Sequence, residues 1–401
     1  MSGRDAAQGA MALLPGASHF IVGEDPAYVF SGVGEHLYVE IEKEGLTTDQ
    51  VAEALAKATG RGPRDIGYAG RKDRWGITRQ WFSIHFGEAE RLSALSQHLS
   101  GNGRAEVLSH TRHGNKLRLG HLAGNRFRLG LGGVSAVAPL AAGIERLVRD
   151  GIINIFGRQR FGFGGATLEI ARSWAARDAT ATVQWMVDPS GAWRWGMELP
   201  AGFRSGPEGR VLGALRHGAT AEAALRGVGD QLRKLAASAA QSAVFNAIVA
   251  ERQRLGILHS ARVGDLAMTV RGAVFTVTPE ELAATNLRAA PGTLDARMTA
   301  PLPGATGIRP AGDVDAQERA WSASTGVDWA WFDAGQPLHS PGERRPVVIG
   351  FRAPPTITLG SDGAPTWLEF SLPSGAYATE VLAQLGITVP EDRRGTGSPT
   401  A

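Results

Sequence analysis

Two hydrophobic periods alternate along this chain. His36–Glu42, HLYVEIE, interleaves apolar and polar residues, which predicts a half-buried strand. Thr47–Ala58 has the longer period. Thr47 is placed to cap a helix, Val51, Leu55 and Ala58 share a face, and Gly60 is placed to end it. Ile66–Ala69 and Gln80–Phe86 read as short strands, and Ala89–Leu99 returns to helical spacing. Ala105–His110 and Asn125–Leu131 read as strands flanking a basic segment. Ala136–Asp150 reads as a helix stopped by Gly151.

The pattern changes past Gly157. A glycine-rich loop leads into a helix, and Thr182–Arg210, rich in Trp, Gly and Pro, reads as loops with short strands. Ala219–Ala236 and Ala239–Leu255 predict two long helices, and Val263–Val277 a hairpin. Pro301–Asp313 resembles a linker. A helix at Val314–Ser324, strands near Val347–Arg352 and Thr366–Leu372, and a helix at Ala376–Leu385 follow. The middle is more helical than its mixed flanks. The expected organisation is a catalytic domain in two parts, 1–156 and 308–388, interrupted by a domain inserted at 157–307. A polar, Gly/Pro-rich tail at 389–401 is expected to be disordered.

Composition narrows the function classes. The hydrophobic fraction of 43% supports packed cores. No apolar run approaches the ~18 residues of a membrane span, and the first residues make a poor signal peptide. Cysteine is absent, which removes disulfides and Cys-ligated zinc and fits a reducing cytoplasm. Net charge is only +3, but its distribution is uneven. Acids dominate from Glu24 to Glu53. Between Arg104 and Arg160 cations outnumber acids, as a polyanion-binding surface requires.

The densest chemistry lies in GYAGRKDRWGITRQ, Gly67–Gln80. One carboxylate, Asp73, sits among Arg71, Lys72, Arg74 and Arg79. Flanking cations favour the ionised carboxylate and attract phosphates, and an ionised carboxylate can serve as a covalent nucleophile. A solvated charged turn is the plainer reading. Thr78 and Gln80 add uncharged donors in reach of a ribose or base edge. In His110–Leu131 cations alternate with apolar residues, as on a strand with one face toward phosphates, or on a charge-protected edge strand. Asn125 and Phe127 share a strand face, pairing an amide that can read a base edge with a ring that can stack on it or simply fill a core. In NIFGRQRFGFGG, Asn154–Gly165, no phosphate-loop pattern is present, but Arg158, Gln159 and Arg160 are suited to an RNA backbone. Phe245, Ile248, Val249 and Arg252 of the Ser238–Arg254 helix read as core and cap. No histidine spacing argues for a metal site.

Taken in order, several motifs resemble those of the tRNA pseudouridine synthase D (TruD) family. They are FIVGED (Phe20–Asp25), AGRKDRWGITRQ (Ala69–Gln80), KLRLGHLAGNRFRL (Lys116–Leu129), NIFGRQRFG (Asn154–Gly162), the Ser238–Arg252 helix and LPSGAYAT (Leu372–Thr379). The resemblance implies an α+β pseudouridine synthase fold, with a mixed, largely antiparallel sheet and flanking helices, interrupted by an inserted α+β domain of the family's own type. It implies isomerisation of a tRNA uridine, typically uridine 13, by a cytoplasmic monomer without cofactor or metal. A catalytically inactive RNA-binding protein on the same scaffold is the alternative. By position, Asp73 would be the catalytic aspartate. Phe20, Asn125 and Tyr377 would contact the target nucleoside, and Phe127 would stack on it. Arg71, Lys72, Arg74, Arg126, Arg158, Gln159 and Arg160 would bind RNA. Gly76 stands where Ala is usual, Ile155 where Tyr is usual, and Leu14 where a lysine is common, which leaves open the cation that partners Asp73.

Overall fold

The structure is a computed structural model describing residues 11–200, 206–361 and 364–390. All but the first two residues of the tail expected at 389–401 lie outside them. The chain divides into two compact units. One contains the described residues up to Val148 and from Gly350 onward; the other is Arg149–Ile349. Among the described residues no helix is long and apolar enough to cross a membrane.

The first unit's strands are β1 (Ala12–Leu13), β2 (Phe20–Pro26), β3 (His36–Glu44), β4 (Ile66–Tyr68), β5 (Ile77–His85), β6 (Arg104–His113) and β7 (Leu122–Gly132). The second unit adds β8 (Ile152–Ile153), β9 (Leu266–Thr269), β10 (Val274–Thr276), β11 (Ala296–Leu302), β12 (Glu343–Pro346) and β13 (Val348–Ile349). The chain then returns to the first unit with β14 (Ala353–Thr358) and β15 (Thr366–Pro373).

One nine-stranded sheet organises the first unit, in the order β14-β15-β7-β2-β5-β3-β6, with β1 beside β7 and β4 beside β5. Only β2 and β5 run parallel among these strand pairs, so the sheet is mixed and largely antiparallel, as expected. Helix α1 (Thr48–Thr59) covers one face. Thr47 and Gln50 form a reciprocal capping box at its start, and Gly60, at φ 66°, closes it in the left-handed region. Its Val51, Ala54 and Leu55 pack with Leu37, Val39, Ile41, Phe82 and Ile84 of the strands. The helix expected at Ala89–Leu99 is instead a 3-10 helix, Ala89–His98, which adds Leu92 and Leu95 to this core. The opposite face carries Tyr38 and Leu117, with Tyr28, Phe30 and Trp81 packed on them. Helix α2 (Val137–Asp150) matches the expected helix closely.

In the second unit, α3 (Ala166–Ala175), α4 (Ala179–Val187), α5 (Gly206–Arg216) and α6 (Ala221–Arg226) precede α7 (Gly229–Arg254). Helices α4 and α5 take the two ends of the loop and short-strand reading of Thr182–Arg210; the described residues between them, 188–200, are loop and turns, with no strand. The two long helices expected from Ala219 become short α6 and one unbroken α7. The alanine-rich stretch where the two expected helices meet is buried and strongly helix-forming. Arg252, expected as a cap, is fully buried and paired with Asp265 at 3.1 Å. A four-stranded antiparallel sheet, β10-β9-β11-β12, lies in this unit. Because β12 pairs with β11 and β13 with β8, residues 308–349 belong here. The compact second unit therefore extends past the expected boundary at residue 307.

Candidate active site

Strand alternation sorts the first unit's functional side chains into two faces. On the face toward α1, one cross-strand row reads Lys43, Thr78, Val22, Phe127 and Phe370. The next row includes Glu24, Asn125 and Leu372. Asn125 and Phe127 therefore do share a face. Phe127 is 8% exposed and packs against Phe370 at 5.4 Å between ring centroids. Arg126 and Arg128 alternate to the other face. Arg126 pairs there with Asp25 at 2.8 Å, and Arg128 with Glu369 at 3.3 Å. Arg79, bound to Glu42 at 2.8 Å, faces that way too. Arg126 thus lies across the sheet from the residues expected to hold the nucleoside.

The loop between β4 and β5 carries Asp73, and nearly every residue around it is tied down. The Gln80 amide donates to the Gly70 carbonyl at 3.2 Å and accepts from Thr48 Oγ1 at 2.9 Å. The Lys72 amide donates to the same Thr48 hydroxyl at 2.9 Å. Arg74 Nε donates to the Gly45 carbonyl at 2.9 Å, and the Gly45 amide returns a bond to the Arg74 carbonyl at 3.0 Å. Fully buried Lys43 donates from Nζ to the carbonyls of Asp73, at 2.9 Å, and Leu46, at 2.8 Å. Gln80 is thus a structural bridge and not a free donor for RNA. Thr78 is fully buried as well.

The Asp73 carboxylate itself is exposed, and its Oδ1 accepts from the Trp75 amide at 3.0 Å. It borders a small cleft with Leu13, Leu14, Pro15, Gly16, Phe20, Trp75, Gly76 and Pro390. Gly76 lets the loop approach Phe20: a Cβ there would lie 2.7 Å from the Phe20 carbonyl oxygen and 2.9 Å from its ring.

Two buried charges support the loop. Lys72 Nζ lies 2.7 Å from Glu24 Oε1 and donates to Asn125 Oδ1 at 2.9 Å. The Trp81 amide donates to Glu24 Oε2 at 3.1 Å. Burial raises the Glu24 pKa above the ordinary carboxylate range, against the opposing charge and hydrogen bond of Lys72. Lys72, expected as an RNA contact, is therefore consumed inside the protein. Lys43 is pushed down to about 8, chiefly by burial, with Asp73 opposing the shift and Lys72 adding to it. Lys43 of β3 is thus a buried cation that holds the Asp73 backbone.

The other expected contacts are dispersed. Arg71 pairs with Asp49 at 3.3 Å on the surface, and exposed Arg74 lies over the Trp75 ring. Tyr377 is half-buried and immediately precedes the helix Ala378–Gln384, four residues beyond the end of β15. In the second unit, Asn246 of α7 clamps Phe156 through both its amide and its carbonyl, at 2.9 and 2.8 Å. Asn154 donates to the Pro346 carbonyl at 2.9 Å. The ends of the NIFGRQRFG motif's rigid part are thereby fixed, and Arg158 and Gln159 project as exposed residues. Arg160 turns inward, bonding the hydroxyls of Ser238 and Ser242 and lying over the Phe156 ring.

Lys43, Glu24 and Thr48 were not singled out from sequence. A signal existed for two of them. Leu37, Val39, Ile41 and Lys43 form one alternating series, as do Phe20, Val22 and Glu24, so each charge falls in an otherwise buried register.

The family model described as tRNA pseudouridine synthase D (TruD) matches residues 11–191 and 195–385. Proteins named tRNA pseudouridine synthase D from Geobacter metallireducens, Geotalea daltonii and Vibrio campbellii are 40%, 37% and 32% identical to this chain. The alignments cover 92%, 91% and 94% of this chain and 93%, 94% and 92% of those proteins. The crystal structure of a Methanosarcina mazei protein carrying the same family name superposes over 96% of both chains, with a TM-score of 0.67. At 22% identity that likeness establishes the fold. Matched by the family model over nearly all its described residues, and by relatives at up to 40% identity, the chain belongs to the tRNA pseudouridine synthase D family.

Proposed function

We propose that this chain converts a uridine of tRNA, uridine 13, to pseudouridine, with Asp73 as the group that opens the glycosidic bond. Membership of the family makes it a tRNA pseudouridine synthase, an isomerase. The observation that carries the reading of the site is the Asp73 carboxylate, exposed at a cleft beside Phe20 on a loop whose backbone is fixed by Lys43, Thr48 and Gln80.

The target base is enclosed in RNA structure and is turned out before reaction, at a cost of a few kcal/mol. Stacking on an aromatic ring returns about 1–3 kcal/mol per base. Phe20, at the cleft, and Phe127, on the same sheet face, are the rings assigned to this task, with Asn125 and Tyr377 as further nucleoside contacts. Asp73 then either attacks C1′ or removes the C2′ proton, and in both routes the N1–C1′ bond breaks. The uracil rotates within the site and C5 bonds to C1′, displacing Asp73 from C1′ on the first route, or adding to the glycal as Asp73 returns the proton to C2′ on the second; the C5 proton then leaves and N1 gains one. Reactants and products are isomers, so no cofactor or metal enters the balance. Holding the free base in place is positioning catalysis, which a tied-down loop favours.

The first unit is assigned the chemistry, and the second the role of an inserted RNA-contacting domain, with exposed Arg158 and Gln159 on RNA. Arg71 and Arg74 are assigned phosphates near the site. The protein is taken to act as a cytoplasmic monomer. The test is pseudouridine mapping of total tRNA from cells with and without this protein. A modification confined to uridine 13 and lost with the protein is expected. Unchanged tRNA alongside retained tRNA binding would favour the inactive RNA-binding alternative.

A further inference from the structure

The far end of β5 holds a cluster that the reaction does not use. His36 and His85 face each other as cross-strand partners of β3 and β5, with ring centroids 4.8 Å apart. Glu35 Oε1 lies 3.6 Å from Nε2 of both rings. The three donor atoms all fall within 4.8 Å of one another. About eight residues of strand separate His85 from the start of β5 near Asp73, roughly 26 Å at the usual rise. The cluster is also on the opposite sheet face from Lys43 and Phe127, since His36 alternates with Leu37.

We propose that Glu35, His36 and His85 form a non-catalytic site for a divalent transition metal of the zinc class, with a fourth position open to water. Ligands at about 2.0–2.1 Å from a tetrahedral zinc ion stand about 3.3 Å from one another. The two Glu35–histidine separations of 3.6 Å need side-chain shifts of a few tenths of an ångström, and the histidine pair, within 4.8 Å, has to close further. Two imidazoles and one carboxylate suit zinc better than magnesium or calcium, which prefer all-oxygen shells.

Three further features support the site. His36 is 5% exposed, and its Nε2 is the ring edge that faces Glu35. Asp65 Oδ1 lies 3.9 Å from His85 Nδ1, the ring nitrogen not facing Glu35, so a small shift would bring it to the position of an outer carboxylate on a metal-bound histidine. Asp65 is itself fixed by the Gly62 amide at 2.9 Å. The Glu35 backbone is held in turn, its carbonyl accepting from the Phe86 amide at 2.8 Å. Nearby Lys116 limits the affinity for a cation.

The site would tie the end of β3 to the end of β5. The experiment uses the full, untagged chain stripped of metal by a chelator, titrated with zinc chloride and separately with cobalt chloride. One equivalent of zinc should bind and raise Tm by mass action. Cobalt should give a visible absorption band of tetrahedral intensity. Glu35→Gln and His85→Asn, both at partly exposed side chains, should keep the fold, abolish the cobalt band and weaken zinc binding at least about tenfold. Metal-free protein should retain its full tRNA activity. Zinc binding unchanged in both variants, or no Tm response to zinc in the parent chain, would overturn the proposal.

Discussion

Lys43→Met tests whether the buried ammonium positions Asp73. The folded pKa of about 8, against an ordinary 10.5, means that carrying the charge inside costs about 3 kcal/mol. Methionine fills similar space and removes that cost. It also leaves the carbonyls of Asp73 and Leu46 without their donor, each worth about 1.5–3 kcal/mol as a charge-assisted bond. The opposing terms are similar in size, so stability should change by no more than a few kcal/mol. Activity should change more. A displacement of about 1 Å in a reacting group can cost about 100-fold, so kcat should fall on that order with little change in tRNA affinity. A second signature is thermodynamic. Between pH 8 and 10.5 the unfolded chain holds the Lys43 proton more than the folded chain does. Stability from this group therefore rises with pH across that window, and denaturant unfolding of the parent chain should show the rise while Lys43→Met lacks it. Wild-type kcat together with an unaltered pH profile of stability would refute the assignment.

Glu24→Gln should destabilise the protein by about 3–5 kcal/mol, because buried Lys72 would lose its counter-charge. A Tm equal to that of the parent chain would show that water or Asn125 suffices. Arg158→Ala should weaken tRNA binding and lower the salt slope by roughly 0.7–0.9, whereas Arg160→Ala should mainly lower Tm, since Arg160 braces Ser238, Ser242 and Phe156. Filter binding across salt concentrations, with thermal melts beside it, separates the two, and equal salt effects would contradict the distinction. Gly76→Ala should cost about 1–3 kcal/mol through its contact with Phe20 and lower activity, read by melting and by initial rates.

Much of the architecture was legible where the local signals agreed. Helix α1 follows from Thr47, Gly60 and the spacing between them, and β3 from strict alternation. The sequence misled where local chemistry and tertiary context diverged. Strand β14 contains Pro354 and Pro355, which argue against a strand, but it is the sheet's edge, where a missing amide costs no ladder bond. Strand β2 was hidden by its glycine, two acids and terminal proline, and is held by neighbours on both sides. Helix α7 looked like two helices because small residues mask its apolar face, which the surrounding core supplies from other elements. At the site, Asp73 stood out by its neighbours' charge. The destinations of those neighbours did not: Lys72 turns inward to Glu24, Arg79 and Arg126 lie on the far face, and a buried cation that bonds the Asp73 carbonyl comes from residue 43. Which way a charged side chain points depends on strand register, and composition carries no such information.

The most direct test of the central claim is tritium release from tRNA labelled at uridine C5, catalysed by the parent chain and by Asp73→Asn. The account expects the variant to fold, to bind tRNA as the parent does and to release no tritium above background. Release at the parent rate would show that another group opens the glycosidic bond.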